Sequence, residues 1–306
     1  MKFKLDFEIP KHPINKEWPS FFMMGSCFAQ NQAARMNESG MFCTSNPYGI
    51  VYNPFSIYKI LERLTNNNLY QIGDFFGTDK KFSWEHHGDF KYDNIDEAVN
   101  SSNQILDQTI IKLQSADCIV LTFGTSLVYK HKDKVVANCH KYPNKEFTHE
   151  QLSFDEVKAS IQKSIAHIKN ANPTAKVILT VSPIRHLRSG VTQSSRSKAV
   201  LLSAIHEVVD NTEINYFPSY EIFMDELRDY RFAKEDLTHP TPLAEQYIWE
   251  RFKNTYFTSE TKAIMDSVKK YNDFKNHRPS DEQLHKMQLT EQKNKLLQDY
   301  PFIKLP

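Results

Sequence analysis

Four short apolar runs, Phe21 to Met24, Cys118 to Phe123, Lys176 to Val181 and Ile214 to Phe217, do most to limit how this chain can fold. Each is brief, apolar and bounded by turn-forming residues, the pattern of a strand buried on both sides. Segments of helical periodicity lie between them, so strand and helix alternate and the fold class is α/β, with a mostly parallel sheet covered on both faces.

The clearest helix runs from Asp155 to Asn170, where Val157, Ile161, Ile165 and Ile168 form one apolar stripe, Ser153 and Glu156 are spaced as a capping box, and Pro173 follows. A second helix spans Arg196 to Val209, with Leu201, Ile205 and Val208 on one face. A third spans Pro242 to Tyr256, with Thr241 as its cap. A long irregular stretch, 42–94, interrupted by a short helix from Ser56 to Leu64, separates the first two strands. Loops of that length are lids or binding walls. The domain expectation is therefore a catalytic unit at 1–257 carrying an insertion at 42–94. A helical appendage at 258–306 follows, with Ile264, Val268 and Tyr271 as a weak stripe and Ser280 and Gln283 at capping-box spacing.

Composition removes several function classes. With 38 basic and 37 acidic side chains the net charge is +1, which gives no field to draw in nucleic acid. The first ten residues alternate charged and apolar types, unlike a secretory signal, and no run of about 18 apolar residues exists to span a membrane. A cytoplasmic location is expected. Cys27, Cys43, Cys118 and Cys139 show no CxxC spacing and read as free thiols, with a Cys27–Cys43 pair as the alternative. His86 with His87, and Cys139 with His140, are adjacent pairs that do not converge on one ion, so no metal and no cofactor are expected.

Open parallel sheets bind ligands beyond the carboxyl ends of their strands, and there the sequence is polar. Gly25-Ser26, Gly124-Thr125-Ser126, Pro183-Ile184-Arg185-His186 and Pro218-Ser219-Tyr220-Glu221 follow the four runs in order. A serine hydroxyl becomes a nucleophile only when a base takes its proton. Asp236 and His239, at i and i+3, would lie on one side of a helical turn, with the carboxylate holding one ring nitrogen and the other facing Ser26. The bland alternative is a helix-start Asp with an exposed His. Trp84 and His87 are candidate pocket walls. Arg185 and His186 would bind an anionic or hydroxylated part of a substrate, or else pair with Glu221 or Asp225. Cys27 is expected to pack as a small apolar residue, and the charged run 225–231 to be a solvated helix end.

The run Gly25-Ser26-Cys27-Phe28-Ala29 resembles the signature of the GSCFA family, and with Asp236-x-x-His239 the arrangement is similar to the SGNH/GDSL hydrolase superfamily. Further resemblance lies in Asn46-Pro47-Tyr48-Gly49-Ile50-Val51-Tyr52-Asn53-Pro54, Ser182 to His186, Tyr216 to Glu221 and Leu227 to Phe232, over roughly residues 20–255. It implies a three-layer, flavodoxin-like α/β/α sandwich with Ser26 as nucleophile, His239 as base and Asp236 as its partner. In that superfamily an Asn completes the oxyanion hole, but here Leu127 occupies its place. A missing donor costs about 3 kcal/mol of transition-state stabilisation, so replacements are sought among the Gly124 and Thr125 amides, Gly49, and the side chains of Asn46 and Asn53.

The expected function is hydrolysis of a small-molecule or glycan O-acyl ester through an acyl-enzyme. An O-acyltransferase and a catalytically silent glycan- or protein-binding domain are the alternatives. The C-terminal helices offer a surface for homo-oligomers.

Overall fold

The apolar runs form the middle of a five-stranded sheet in the computed structural model, which describes residues 5–210 and 212–305. The strands are β1 (Phe21–Gly25), β2 (Cys43–Ser45), β3 (Cys118–Phe123), β7 (Lys176–Val181) and β8 (Ile214–Phe217), in the order β2-β1-β3-β7-β8 with every pairing parallel. Three further strands, β4 (Leu127–His131), β5 (Lys134–Val136) and β6 (Thr148–Gln151), make a separate antiparallel sheet ordered β5-β4-β6. That sheet and β2 were not foreseen. Their residues are mostly half-exposed, so the continuous apolar signal of a doubly covered strand is missing.

Side chains alternate across the parallel sheet, and the two faces build two cores. Phe22, Met24, Ile119, Leu121, Val177 and Leu179 face α2 (Pro54–Thr65), α3 (Ile95–Ser115), α4 (Phe154–Ala171) and α5 (Val191–His206). Phe21, Met23, Cys118, Val120 and Ile178 face the opposite layer, α1 (Cys27–Glu38) and, beyond a short turn α6 (Ser219–Glu221), α7 (Pro242–Tyr256). The architecture is a three-layer α/β/α sandwich.

The C-terminal residues form α8 (Ser259–Lys275) and α9 (Glu282–Asp299). Ile264, Met265 and Val268 of α8 are buried in the same core as Phe28 and Met36 of α1. The capping box at Ser153 and Glu156 forms, and Thr241 accepts the Ala244 amide at 3.3 Å at the start of α7. At α9 the cap is Asp281, which accepts the amides of Gln283 and Leu284, so the Ser280–Gln283 box does not form. The helix expected from Arg196 begins earlier, behind Gly190 at φ +87°.

Chain order explains where a site can sit. From β1 the chain moves outward to β2 at the sheet edge, then crosses back to β3 on the other side of β1. The carboxyl ends of β1 and β3 therefore flank the switch point, where such sheets open a crevice. Gly25-Ser26 and Gly124-Thr125 stand there.

Among the described residues no helix is long and apolar enough to cross a membrane, and all four cysteines are free.

Candidate active site

At the end of β1 the backbone turns through Gly25 at φ +140°, where an added Cβ would stand 2.1 Å from the Thr122 carbonyl oxygen. Only glycine fits a position that is both left-handed and in contact with a neighbouring strand. Ser26 follows as the N-cap of α1 in an extended conformation, without a side-chain capping bond. Its residue is 2% exposed, and its Oγ has no hydrogen-bond partner. A buried hydroxyl without a partner costs about 1–3 kcal/mol, a condition that Tyr70 OH, Thr122 Oγ1, Ser194 Oγ and Tyr256 OH share. The Ser26 amide donates to Thr122 O over a long 3.3 Å.

Asp236 and His239 meet closely. Asp236 Oδ2 lies 2.5 Å from His239 Nδ1, while Oδ1 accepts the amides of His239 at 2.9 Å and Thr238 at 3.0 Å. Those two amides, then the imidazole, hold the carboxyl well below the usual carboxylate range. The turn is not helical, as the spacing had implied. Leu237 is left-handed at φ 58°, Lys234 N donates to His239 O, and Ala233 bridges Pro240. The carboxylate closes the turn by accepting its own downstream amides, as an Asx turn does. With Nδ1 donating to the carboxylate, Nε2 is left as the basic nitrogen.

His239 and Asp236 line a cleft of about 860 Å³ together with Tyr52, Thr125, Leu127, Tyr129, Arg185 and His186. His186 stacks on Tyr52 with centroids 4.7 Å apart, and the two rings press on Gly124, where a Cβ would stand 2.9 Å from His186 Nε2. Burial, then the charges of Lys198 and His239, push the His186 pKa down to about 4, so the ring is neutral at pH 7. The Ser26 hydroxyl does not hydrogen-bond His239 in this conformation.

The oxyanion candidates separate by what each already does. Gly49 N donates to Asn46 O in a tight turn, and Gly124 N donates to Tyr52 O at 2.7 Å, so both amides are occupied. Asn53 caps α2, accepting Ser56 N and donating to Ser56 Oγ. Thr125 Oγ1 bonds Ser197 Oγ and accepts the Leu127 amide, which makes it a brace for the turn after β3. Asn46 differs. Its Oδ1 accepts the Gly25 amide at 2.8 Å, and its Nδ2 is buried beside that turn without a partner.

Trp84 and His87 are not brought to the cleft. Trp84 packs in an aromatic cluster with Phe82, His131 and Phe147 and lines a separate hollow with Phe55 and Glu85. His87 donates its amide to Tyr48 O and sits against Gly49, its ring near Asp89. The long insertion is mostly a packed aromatic layer, and only Tyr52 and Asn53 of it reach the cleft. Arg185 forms no ion pair with Glu221 or Asp225. Its Nε faces Met224 Sδ at 3.2 Å and Nη1 faces Ser195 Oγ at 3.4 Å. Cys27 is half-buried against the α1 side of the core, and burial pushes its thiol up. In the charged run, Glu226 is buried, accepting Tyr247 OH and facing Arg251, while its neighbours are largely solvated.

Tyr52, Tyr129 and Arg188 at the cleft, and Lys198 behind it, were not singled out. Tyr52 lay in plain view within Asn46 to Pro54. Lys198, 2% exposed with Nζ donating to Ser182 O at 2.7 Å, left no trace, because a lysine amid polar helix residues reads as a solvated one.

The GSCFA family pattern matches residues 20–252. No curated protein matches the chain. Among solved structures, a carbohydrate esterase family 3 protein from Talaromyces cellulolyticus is 7% identical, with 82% of this chain and 99% of that one covered, at a TM-score of 0.39. A salicylyl-acyltransferase from a tetracycline biosynthetic pathway is 8% identical, with coverage of 79% and 55% and a TM-score of 0.40. An acetyl xylan esterase from the rumen bacterium Butyrivibrio proteoclasticus is 11% identical, covering 83% and 64%, at 0.38.

Proposed function

The chain belongs to the GSCFA family, and from that premise we propose that it is an SGNH-type serine esterase or acyltransferase acting on small O-acyl esters. Sugar-linked acyl groups are the substrate class that the superfamily resemblance implies. The reading is supported by the closed Asp236–His239 pair and by a buried serine hydroxyl without a partner at the carboxyl end of β1.

In this mechanism His239 Nε2 removes the proton from Ser26 Oγ as Oγ bonds to the acyl carbon. Asp236 holds the imidazolium by its Nδ1–H. Asn46 Nδ2 donates to the oxyanion in place of the Asn that Leu127 replaces, and the Ser26 amide joins it by giving up its long 3.3 Å bond to Thr122 O. Collapse breaks the ester C–O bond, and the imidazolium proton passes to the leaving alkoxide. Water, or a second alcohol, then gives up a proton to His239 and attacks the acyl carbon; the bond to Ser26 Oγ breaks, Oγ takes the proton back from His239, and an acid or a new ester leaves. Since Oγ and imidazole are not bonded in the resting conformation, the 233–240 turn or the Ser26 rotamer must shift before acylation.

The test is turnover of a p-nitrophenyl ester panel by the native protein, Ser26→Ala and His239→Ala. Activity in the native protein, cut by about 10³-fold or more in each variant, is expected. Equal rates in all three would falsify the reading. Product analysis with added alcohol separates transfer from hydrolysis. The covered Ser26 hydroxyl favours one second reading, a silent binding domain, which a fluorophosphonate probe would leave unlabelled.

A further inference from the structure

We propose that the ester taken by this cleft carries a negative charge on its alcohol side, bound by Arg185 and Arg188 with Lys141 at the mouth. The inference rests on the function proposed above and deepens it.

The cleft holds three permanent cations, Lys141, Arg185 and Arg188, and its lining includes a single acid, Asp236. Asp236 is already committed to two amides and the imidazole. The arginines find only neutral partners: Met224 Sδ and Ser195 Oγ for Arg185, and Tyr129 OH at 3.5 Å for Arg188. Among the described residues five of the seven other arginines are paired with acids, while Arg196 faces only Gln193 Oε1. Arg35, Arg63, Arg228, Arg231 and Arg251 each face a carboxylate.

With a net charge of +1 there is no general excess of cations to explain the imbalance, so the local field belongs to the cleft. A guanidinium presents parallel donors that suit a carboxylate or phosphate, and a concave site of this volume takes a small molecule rather than a polymer surface. Arg185 and Arg188 lie on one turn after β7, in the same cleft as His239. A substrate whose acyl group sits between His239 and Ser26 has one flank within reach of them, to which we assign the alcohol part.

The test compares 4-acetoxybenzoate with 4-acetoxybenzamide, which share shape and leaving-group type and differ in charge. The native protein should favour the benzoate by about tenfold or more in kcat/KM, the scale of one charge-assisted contact. The ratio should fall in Arg185→Gln and Arg188→Gln, fall less in Arg188→Lys, shrink in 0.5 M salt, and stay unchanged in the remote Lys286→Gln. A native ratio near one, with the benzamide cleaved in a Ser26-dependent way, overturns the anion site and leaves the proposed function standing. If neither ester is cleaved the proposed function fails, and terephthalate binding by calorimetry decides the anion site separately. Arginine-dependent binding supports it, and none at millimolar terephthalate overturns it.

Discussion

A carboxylate that accepts two amides of its own turn while holding an imidazole does two tasks at once, and Asp236 is legible from sequence only for the second. Asp236→Asn keeps an oxygen for the amides but turns an N–H donor toward His239 Nδ1, forcing the proton onto Nε2, where the base is needed. The expected result is a fall in kcat of about 10²–10⁴-fold with little change in fold, read from steady-state kinetics beside circular dichroism. Gly25→Ala sets a Cβ against the Thr122 carbonyl at φ +140° and should cost about 3 kcal/mol or more, measured by urea unfolding; a loss under 1 kcal/mol would contradict the packing. Lys198 supplies a pH signature. Burial, then the Arg185 charge, lower its pKa from 10.5 to about 7, so between those values the unfolded chain binds a proton that the native one does not. Native stability then gains from this residue as pH rises through the 7 to 10.5 window, by about 1.4 kcal/mol for each unit of pKa difference. Lys198→Met should accordingly stabilise most below pH 7, with the gain fading toward pH 10.5. A constant difference across that range would show that the ammonium is not the cause.

Elements were legible in proportion to how fully they are covered. The strands β3 and β7 match their apolar runs because both faces are buried, and the edge strand β8 matches its own although one face is only half-buried, whereas β4 to β6 alternate only weakly and gave no signal. Helix α3 escaped because its buried face includes Ser102 and Thr109 among Ala98, Leu106 and Leu113, which breaks the apolar stripe. Asn53 and Gly49 looked like oxyanion donors because sequence does not reveal that a cap or a turn has used their hydrogen bonds. Asn46, from the same segment, kept a donor free. Helix α8 reads as peripheral from its weak stripe, yet its apolar residues join the core against α1. We propose that it unfolds with the sandwich. Ile264→Ala should lower the one shared transition by about 2–5 kcal/mol; a separate early transition confined to the tail would refute this.

At the level of the whole molecule, β2 and β3 lie on opposite sides of β1, so Gly25-Ser26 and Gly124-Thr125 at the carboxyl ends of β1 and β3 flank the switch point. A fluorophosphonate should therefore add one adduct per chain, on Ser26, by intact mass and peptide mapping; modification of a different serine would place the chemistry elsewhere. The two halves of the proposed site are also coupled mechanically. Asn31 donates to Glu245 and Arg35 to Gln246, fastening the helix that begins at the serine to the helix that begins just past the histidine. Neither helix can drift without dragging the other, so whatever part of the approach a turn of the Ser26 side chain does not supply has to be produced within the few residues of the closed loop around Leu237. Stiffening that loop would slow the protein without touching a single group that bonds to substrate.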